Sequence, residues 1–228
     1  MPGALEASVG IGVVHLFCTV GEGTDRAAIE AAVKAAEADD LQVVPVAVLG
    51  HKADVAFMVL GKDWWKLKSF QTALSVAGLT IIDSYVSMTE LSEYAKGLPE
   101  HMAKARLYPE LPPEGMHAWC FYPMSKKRER KANWFTLPFD ERKELMMEHG
   151  ASGRKFAGRI VQLITGSAGV DDYEWGVTLF AQKPDDLKEV VYTMRFDEAS
   201  AKYADFGPFI TGAVGTVTEV LDAAGVPD

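Results

Sequence analysis

The chain has 228 residues, 48% of them hydrophobic, so it can bury a core in one large domain or two small ones. Its net charge of −9 argues against a general nucleic-acid binder, because such proteins gain affinity by neutralising phosphates with lysine and arginine. No segment approaches the roughly 20 consecutive apolar residues of a membrane helix, and the N-terminus lacks the features of a secretory signal.

Residues 1–95 carry the pattern of one ferredoxin-like unit. Thr24 stands in place for a helix N-cap, Gly50 and His51 form a turn signal, and Gly78 follows the second predicted helix as a C′ glycine. The order strand–helix–strand–strand–helix–strand is the ferredoxin-like βαββαβ arrangement. The predicted strands are 11–20, 41–49, 53–60 and 79–88, and the predicted helices are 24–38 and 62–77.

A proline-bearing stretch over 96–116, with a short helix at 99–105, is predicted to link this unit to a second one over 117–228. The second unit repeats the order of the first, and Pro138 suits the first turn of its first helix. We therefore predict an α+β protein whose two ferredoxin-like units form a dimeric α+β barrel within one chain. The predicted strands are 117–124, 159–166, 174–181 and 206–212, and the predicted helices are 138–149 and 184–195.

Several enzyme classes find no support in the sequence. It contains no HExxH or CxxC pattern, and no P-loop, GxSxG or GxGxxG motif stands before a helix in the required context. Cys18 and Cys120 lie in apolar strand-like runs and are predicted to be reduced core residues, which suits a cytoplasmic protein. If the chain is an enzyme, we expect a bound cofactor to supply the chemistry.

A basic island lies within residues 126–131 of this acidic chain. Such a run is either a solvated loop or a place where an anionic small molecule binds. Its members are Lys126, Lys127, Arg128, Arg130 and Lys131.

His149 is the most informative of the five histidines. Leu145 and Met146 lie four and three residues before it, so all three share one apolar face of a helix. On that face a neutral imidazole could bind a metal in an apolar pocket. A histidine before Gly150 could instead stabilise the C-terminal end of the helix dipole. The spacing alone leaves both interpretations open.

The predicted strand 117–124 places Cys120, Tyr122 and Met124 on one face, and Lys126 joins them if the strand continues. A phenol, a thioether and an ammonium along one edge could line a pocket for a redox reaction on a carboxylate ligand. The alternative is a packed barrel core with an exposed lysine.

Gln162 places an amide where the strand pattern expects an aliphatic side chain, between Ile160 and Ile164 on the same face. A buried amide needs hydrogen-bond partners. Either neighbouring backbone or a bound ligand could supply them.

Longer motifs contain these residues, and together they resemble the coproheme decarboxylases of the chlorite dismutase superfamily. The match covers roughly residues 103 to 212, with the motifs in the family's order, whereas the N-terminal half resembles the family chiefly in its order of elements. The motifs are YPMSKKR (122–128), NWF (133–135), LP (137–138), MMEHG (146–150), GRKFAG (153–158), DDYEWGVTLF (171–180) and MRFDEASA (194–201).

The resemblance implies a role for each matching residue. His149 would be the proximal iron ligand and Tyr122 a tyrosine oxidised to a radical. Lys126 would contact a reacting propionate and assist the second decarboxylation. Gln162 would lie on the distal side of the iron, which is the type of decarboxylase with a distal glutamine. The remaining expected porphyrin contacts are Arg106, Pro123, Met124, Ser125 and Ser200.

The reaction implied is the peroxide-dependent decarboxylation of two propionates of Fe-coproporphyrin III (coproheme) to give haem b. This is the last step of coproporphyrin-dependent haem biosynthesis, and coproheme is then both substrate and cofactor. The resemblance further implies a cytoplasmic homopentamer, hydrogen peroxide as co-substrate and transient contact with coproporphyrin ferrochelatase. Neither a nucleic acid nor a membrane is expected as a partner.

Two other functions stay open at this point. A chlorite dismutase-like or peroxidase haem enzyme is one, although chlorite dismutases carry a distal arginine where this chain has Gln162. The second is a non-enzymatic α+β barrel that binds haem. His101 does not match the position of the distal histidine found in another branch of the decarboxylases, so it is left out of the expected site.

Overall fold

A computed structural model describes residues 3–95 and 97–227, so the ends of the predicted units at Met1, Pro2 and Asp228, and Lys96 in the predicted linker, lie outside the described residues. Within this part, nine strands form one antiparallel sheet that closes into a barrel. They are β1 (Gly12–Thr19), β2 (Gln42–Leu49), β3 (Val55–Gly61), β4 (Thr80–Thr89), β5 (Ala118–Lys126), β8 (Ile160–Gly166), β9 (Trp175–Ala181), β10 (Ala204–Phe206) and β11 (Ile210–Val214), and the separate hairpin is β6 (Arg128–Glu129) with β7 (Ala132–Asn133).

The N-terminal unit has the ferredoxin-like strand order β2-β3-β1-β4. Its helices α1 (Arg26–Ala38) and α2 (Trp64–Val76) cover the outer face of these strands, with Ile29 and Phe70 buried against them. Gly78 has a φ of 89°, which confirms the predicted C′ glycine. Every predicted element of this unit is present.

The predicted N-cap Thr24 is wrong by one residue. Asp25 caps α1, because its side chain accepts a hydrogen bond from the amide of Ala28 at 2.9 Å. The Thr24 hydroxyl instead accepts from the Gly21 amide and donates to the Gly78 carbonyl, so it ties the loop before α1 to the end of α2.

The C-terminal unit repeats this order as β11-β5-β9-β8. The helix α3 (Glu100–Leu107) lies in the predicted linker, and α4 (Phe139–Arg154) and α5 (Pro184–Met194) follow β5 and β9 as predicted. A 3₁₀ turn (Trp134–Thr136) and the short helices α6 (Glu198–Ala201) and α7 (Val217–Ala223) complete the described elements.

The predicted last strand, 206–212, is in fact two strands on the same edge of β5. β10 pairs with Met124–Lys126 and β11 pairs with Ala118–Phe121. The chain leaves the ladder between them, where the Gly207 amide bonds to the Pro123 carbonyl and Pro208 has no amide hydrogen to donate.

The two units share one barrel rather than standing apart. β11 pairs with β2, β4 pairs with β8, and β5 pairs with β9, which closes the sheet. Inward-facing side chains from both units fill the interior, among them Phe17, Trp119 and Phe180. This arrangement confirms the predicted dimeric α+β barrel. Among the described residues, no helix combines the length and the apolar character that a membrane span needs.

His15 lies inside this barrel and is 1% exposed. Its Nε2 is 3.0 Å from the Thr178 hydroxyl, and its ring stacks on Phe121 with the centroids 4.1 Å apart. Burial lowers the pKa of His15 to about 3, because the charged imidazolium cannot be solvated there. The residue therefore stays neutral in the folded protein at physiological pH.

This burial predicts an acid dependence of stability that His15→Phe should reduce. Between pH 6.5 and about 3 the unfolded chain binds a proton at His15 and the folded chain does not. As the pH decreases through this range, the free energy of unfolding therefore decreases by up to about 1.4 kcal/mol per pH unit. Urea unfolding of both proteins at pH 7 and pH 5 measures this, with the exposed His51→Gln as control. Equal pH dependence in wild type and His15→Phe would contradict the assignment.

Candidate functional site

The outer face of β5 carries the side chains that the alternation predicts. Cys120 and Tyr122 are buried there against the face of α5, and Met124 packs on the same cluster. The ring of Tyr122 stacks on Phe209, with centroids 4.4 Å apart and an interplanar angle of 25°. These residues face the helices and not the barrel interior, so the interpretation of this face as barrel core is wrong.

Tyr122 is a buried phenol without a polar partner. Burial raises its pKa, although the nearby guanidinium of Arg195 acts in the opposite direction. Arg195 lies over Phe206, 4.6 Å from the ring centroid, at the C-terminal end of α5. Within the described part of the chain, the Tyr122 hydroxyl makes no hydrogen bond. Its O–H is therefore neutral and available to a ligand.

His149 lies five residues before the last residue of α4, so the alternative that it caps the end of the helix is wrong. The helix continues through Gly150 to Arg154 because tertiary packing against α5 and α6 outweighs the low helix propensity of glycine. Leu145 and Met146 share the predicted face and pack near Trp134. All residues of α4 are described, and none of them is buried.

A carboxylate holds the His149 ring from one side. Nδ1 lies 3.0 and 3.2 Å from the two carboxylate oxygens of Asp197, and 3.3 Å from the Ser200 hydroxyl. With Nδ1 donating to Asp197, the Nε2 lone pair is free to bind a metal. Among the described residues, Nε2 has no hydrogen-bond partner. Asp197 thus orients the predicted ligand.

Asp197 was not among the predicted site residues. It is the N-cap of α6, where it accepts a bond from the Ser200 amide at 3.0 Å. Burial raises its pKa, but the hydrogen bonds from His149 and Ser200 outweigh burial, so the net pKa is lowered. Asp197 opens a DEAS capping pattern, which predicts a helix start but not its contact with α4.

Lys126 is 8% exposed and does not belong to a solvated loop. Its ammonium donates to the Ala199 carbonyl at 2.7 Å and lies 4.4 Å from the ring centroid of Trp134. Burial lowers the pKa of Lys126 to about 8, while the carboxylates of Asp197 and Glu174 act to raise it. The solvated interpretation holds for Arg130 and Lys131, whereas Arg128 is exposed but pairs with the buried carboxylate of Glu174.

The backbone around Lys126 is held by its neighbours. The Pro123 carbonyl accepts from the Gly207 amide at 2.8 Å. The Ser125 hydroxyl accepts from the amide of Glu174, and a Glu174 carboxylate oxygen accepts from the Lys126 amide. The predicted contacts over 122–126 therefore lie together at one strand end whose backbone is hydrogen-bonded to its neighbours.

Gln162 shares the outer face of β8 with the buried Ile160 and with Ile164, which is 46% exposed. Its side-chain amide is directed to the Met194 thioether, 3.8 Å away, which is a weak acceptor. The amide is therefore not satisfied by neighbouring backbone, which was one of the two interpretations.

Arg106 lies on the exposed side of α3. The end of α3 packs at the edge of the N-terminal unit, where the Thr89 hydroxyl donates to the Leu107 carbonyl at 2.7 Å. Among the described contacts, none joins Arg106 to the residues around His149 or Tyr122. Its role at a porphyrin propionate stays a prediction.

These features fit an iron porphyrin with carboxylate side chains. A porphyrin supplies four nitrogens to its iron, so the protein needs to add only one ligand, and an imidazole with a free Nε2 would serve. The half-covered face of α4 and the exposed Ile164 offer apolar surface for a flat ring. Lys126 and Arg195 offer positive charge for carboxylates.

Comparison with known sequences agrees with this chemistry. The chain is 49% identical to the coproheme decarboxylase of Staphylococcus carnosus (strain TM300) over 179 residues, which cover 73% of this chain and 70% of that protein. It is 44% identical to the coproheme decarboxylase of Staphylococcus saprophyticus over 185 residues, covering 77% and 74% of the two chains.

Solved structures show the same fold. A heme-binding protein from Thermus thermophilus superposes with a TM-score of 0.85 at 34% identity, covering 98% of this chain and 97% of that one. A mutant chlorite dismutase from Candidatus Nitrospira defluvii gives a TM-score of 0.76 at 19% identity, covering 96% and 97%. A family model described as chlorite dismutase matches residues 24–215, and the chain therefore belongs to the chlorite dismutase family.

Proposed function

We propose that this protein is a coproheme decarboxylase, which uses hydrogen peroxide to convert two propionates of Fe-coproporphyrin III to vinyl groups. The observation that carries the proposal is the unpartnered, buried phenol of Tyr122 on the same strand face as Met124, with Lys126 at the strand end. The identity of 49% and 44% to two coproheme decarboxylases supports the same reaction.

His149 is the proposed iron ligand, through Nε2. Its bond to Asp197 makes the imidazole a stronger electron donor, because a carboxylate on Nδ1 draws the ring toward imidazolate character. Gln162 and the residues from Tyr122 to Ser125 would line the porphyrin, and the proposed propionate contacts are Arg106, Lys126 and Ser200, to which the structure suggests adding Arg195.

Coproheme is the substrate, and together with hydrogen peroxide it would supply the oxidising power for its own decarboxylation. Tyr122 loses an electron and its phenolic proton, and the resulting tyrosyl radical takes a hydrogen atom from a propionate methylene. The propionate then loses a second electron and carbon dioxide, which leaves a vinyl group. One peroxide accepts the two electrons of each decarboxylation. An O–H with no competing acceptor suits this role.

Lys126 has the donors to hold a carboxylate while it stays anchored. An ammonium carries three N–H groups, and the Ala199 carbonyl uses one of them. The other two can bind a propionate. Because Lys126 is buried, a hydrogen bond between its ammonium and a carboxylate is stronger than it would be in water. We propose that Lys126 contacts a reacting propionate and assists the second decarboxylation, as the resemblance to the coproheme decarboxylases implies.

The proposal extends to assembly and location. Tyr192 and Phe196, 63% and 72% exposed, form an apolar patch at the end of α5 that suits contact with another protein. A homopentamer and transient contact with coproporphyrin ferrochelatase are the proposed assemblies. The free, buried Cys18 and Cys120 agree with a cytoplasmic protein.

Tyr122→Phe tests the proposed reaction. Purified protein loaded with ferric coproheme is titrated with hydrogen peroxide, and the pigment is followed by mass. We expect two successive losses of a carboxyl group in wild type, and binding without either loss in Tyr122→Phe, because the phenyl ring has no O–H to give up.

Equal decarboxylation by Tyr122→Phe would contradict the role of Tyr122, and binding without decarboxylation by wild type would contradict the enzyme. Tyr192→Phe is the control, because it removes an exposed phenol away from the strand face. Chlorite decomposition by wild type at a rate above its decarboxylation would favour a chlorite dismutase activity instead.

Two substitutions test the iron ligand. His149→Ala should abolish the histidine-ligand signature in the electronic and resonance Raman spectra of bound ferric coproheme. Asp197→Asn should keep the ligand but lower the iron–histidine stretching frequency and raise the reduction potential, because a neutral amide polarises Nδ1–H less.

The matched control is Glu198→Gln, since Glu198 is the adjacent, exposed carboxylate and pairs only with Lys202 among the described ion pairs. An unchanged spectrum in His149→Ala would move the ligand to another residue. Equal spectra for Asp197→Asn and wild type would show that Asp197 does not tune the ligand.

A further inference from the structure

Glu174 lies in the DDYEWG motif at residues 171–176 and has no part in the proposed reaction so far. It is 6% exposed and stands one residue before the β5–β9 ladder, whose last pair is Met124 with Trp175. A carboxylate this far from water is costly unless its charge and lone pairs are satisfied. Its position therefore needs an explanation.

The amide and both carboxylate oxygens of Glu174 are engaged with the end of β5 and with Arg128 just beyond it, while the Glu174 carbonyl accepts from the Ser167 amide at 2.9 Å. Its amide lies 3.2 Å from both the Met124 carbonyl and the Ser125 hydroxyl. One carboxylate oxygen accepts from the Lys126 amide at 2.8 Å, and the other accepts from the guanidinium of Arg128. Glu174 thus binds the last three positions of β5, Met124, Ser125 and Lys126, and also Arg128 at the start of β6.

The Lys126 amide depends on this carboxylate. Beyond Met124 the backbone of β9 no longer pairs with β5, and the carboxylate of Glu174 takes the place of a strand carbonyl. Removing it would leave a buried N–H without its partner, and the strand end would then be held from its other edge alone, by β10. The Lys126 side chain would shift with this loosened strand end, because its ammonium is held only by the Ala199 carbonyl and the Trp134 ring among the described contacts.

We infer that Glu174 is a positioning residue that fixes the backbone of Ser125 and Lys126 and thereby controls the second decarboxylation. This inference rests on the proposed function, because it assigns Lys126 to the second decarboxylation. Glu174 touches neither Tyr122 nor His149 among the described contacts, so the first decarboxylation and the iron ligand should not depend on it.

The test compares Glu174→Ala with Glu174→Gln and Arg128→Gln in the coproheme-loaded protein. The decarboxylation rates of the first and second propionate are measured separately by mass during stepwise peroxide addition. In Glu174→Ala we expect the second rate to fall about tenfold, as for the loss of one charge-assisted hydrogen bond, while the first stays within about twofold. The singly decarboxylated pigment therefore accumulates.

Glu174→Gln keeps an acceptor oxygen for the Lys126 amide, so it should restore most of the second rate. Arg128→Gln removes the ion pair but leaves the Glu174 carboxylate on the Lys126 amide, so it should lower the second rate less than Glu174→Ala does. Equal loss of both rates in Glu174→Ala, no change in either, or failure of Glu174→Gln to restore the second rate would overturn the positioning role.

Amide exchange separates this inference from the proposed function, because it needs no reaction. In Glu174→Ala the Lys126 amide should lose protection, while the Cys120 amide inside the ladder should keep it. Unchanged protection at Lys126 would overturn the inference even if the protein decarboxylates coproheme. If the Lys126 amide loses protection but the protein cannot decarboxylate coproheme, the proposed function and the link of Glu174 to it are refuted. The contact between Glu174 and the Lys126 amide would still be supported.

Discussion

Closure of the barrel through β5 is the constraint on which the site depends. β5 pairs along one edge with β9 and along the other with β11 and then β10, so both of its edges are occupied. Its two faces are then the only surfaces left to it, and alternation assigns one to the barrel core and one to the helices. Phe121 enters the core, and Tyr122 therefore points to the helical side.

The short helix α6 contacts both the proposed iron ligand and the proposed propionate contact. Its N-cap Asp197 holds the proposed iron ligand His149, and its Ala199 carbonyl holds the ammonium of Lys126. Two residues of one turn thus set the positions of a ligand from α4 and a cation from β5. A helix of four residues is not stable in water, so packing of Ala199 against Trp134 must hold it in place.

Local pattern predicted the elements because helix and strand periods are properties of short segments. The residues that support the site were missed because their contacts are with residues far away in the sequence. Asp197 and Glu174 act on residues 48 positions away in each case, and capping or charge patterns carry no information on such partners. The broken last strand was missed because its two halves are defined by pairing with β5, which the sequence of 206–212 does not encode locally.

The sequence by itself determined the barrel of two ferredoxin-like units, the shared face of Tyr122 and Met124, and the choice of His149 as the candidate ligand within a family motif. Only the tertiary structure decided that His149 lies inside a helix with a carboxylate on its Nδ1, and that Lys126 is buried and not solvated. The physical reason is that strand and helix faces follow from backbone periodicity. The protonation, orientation and burial of a side chain depend on neighbours that folding brings from distant positions.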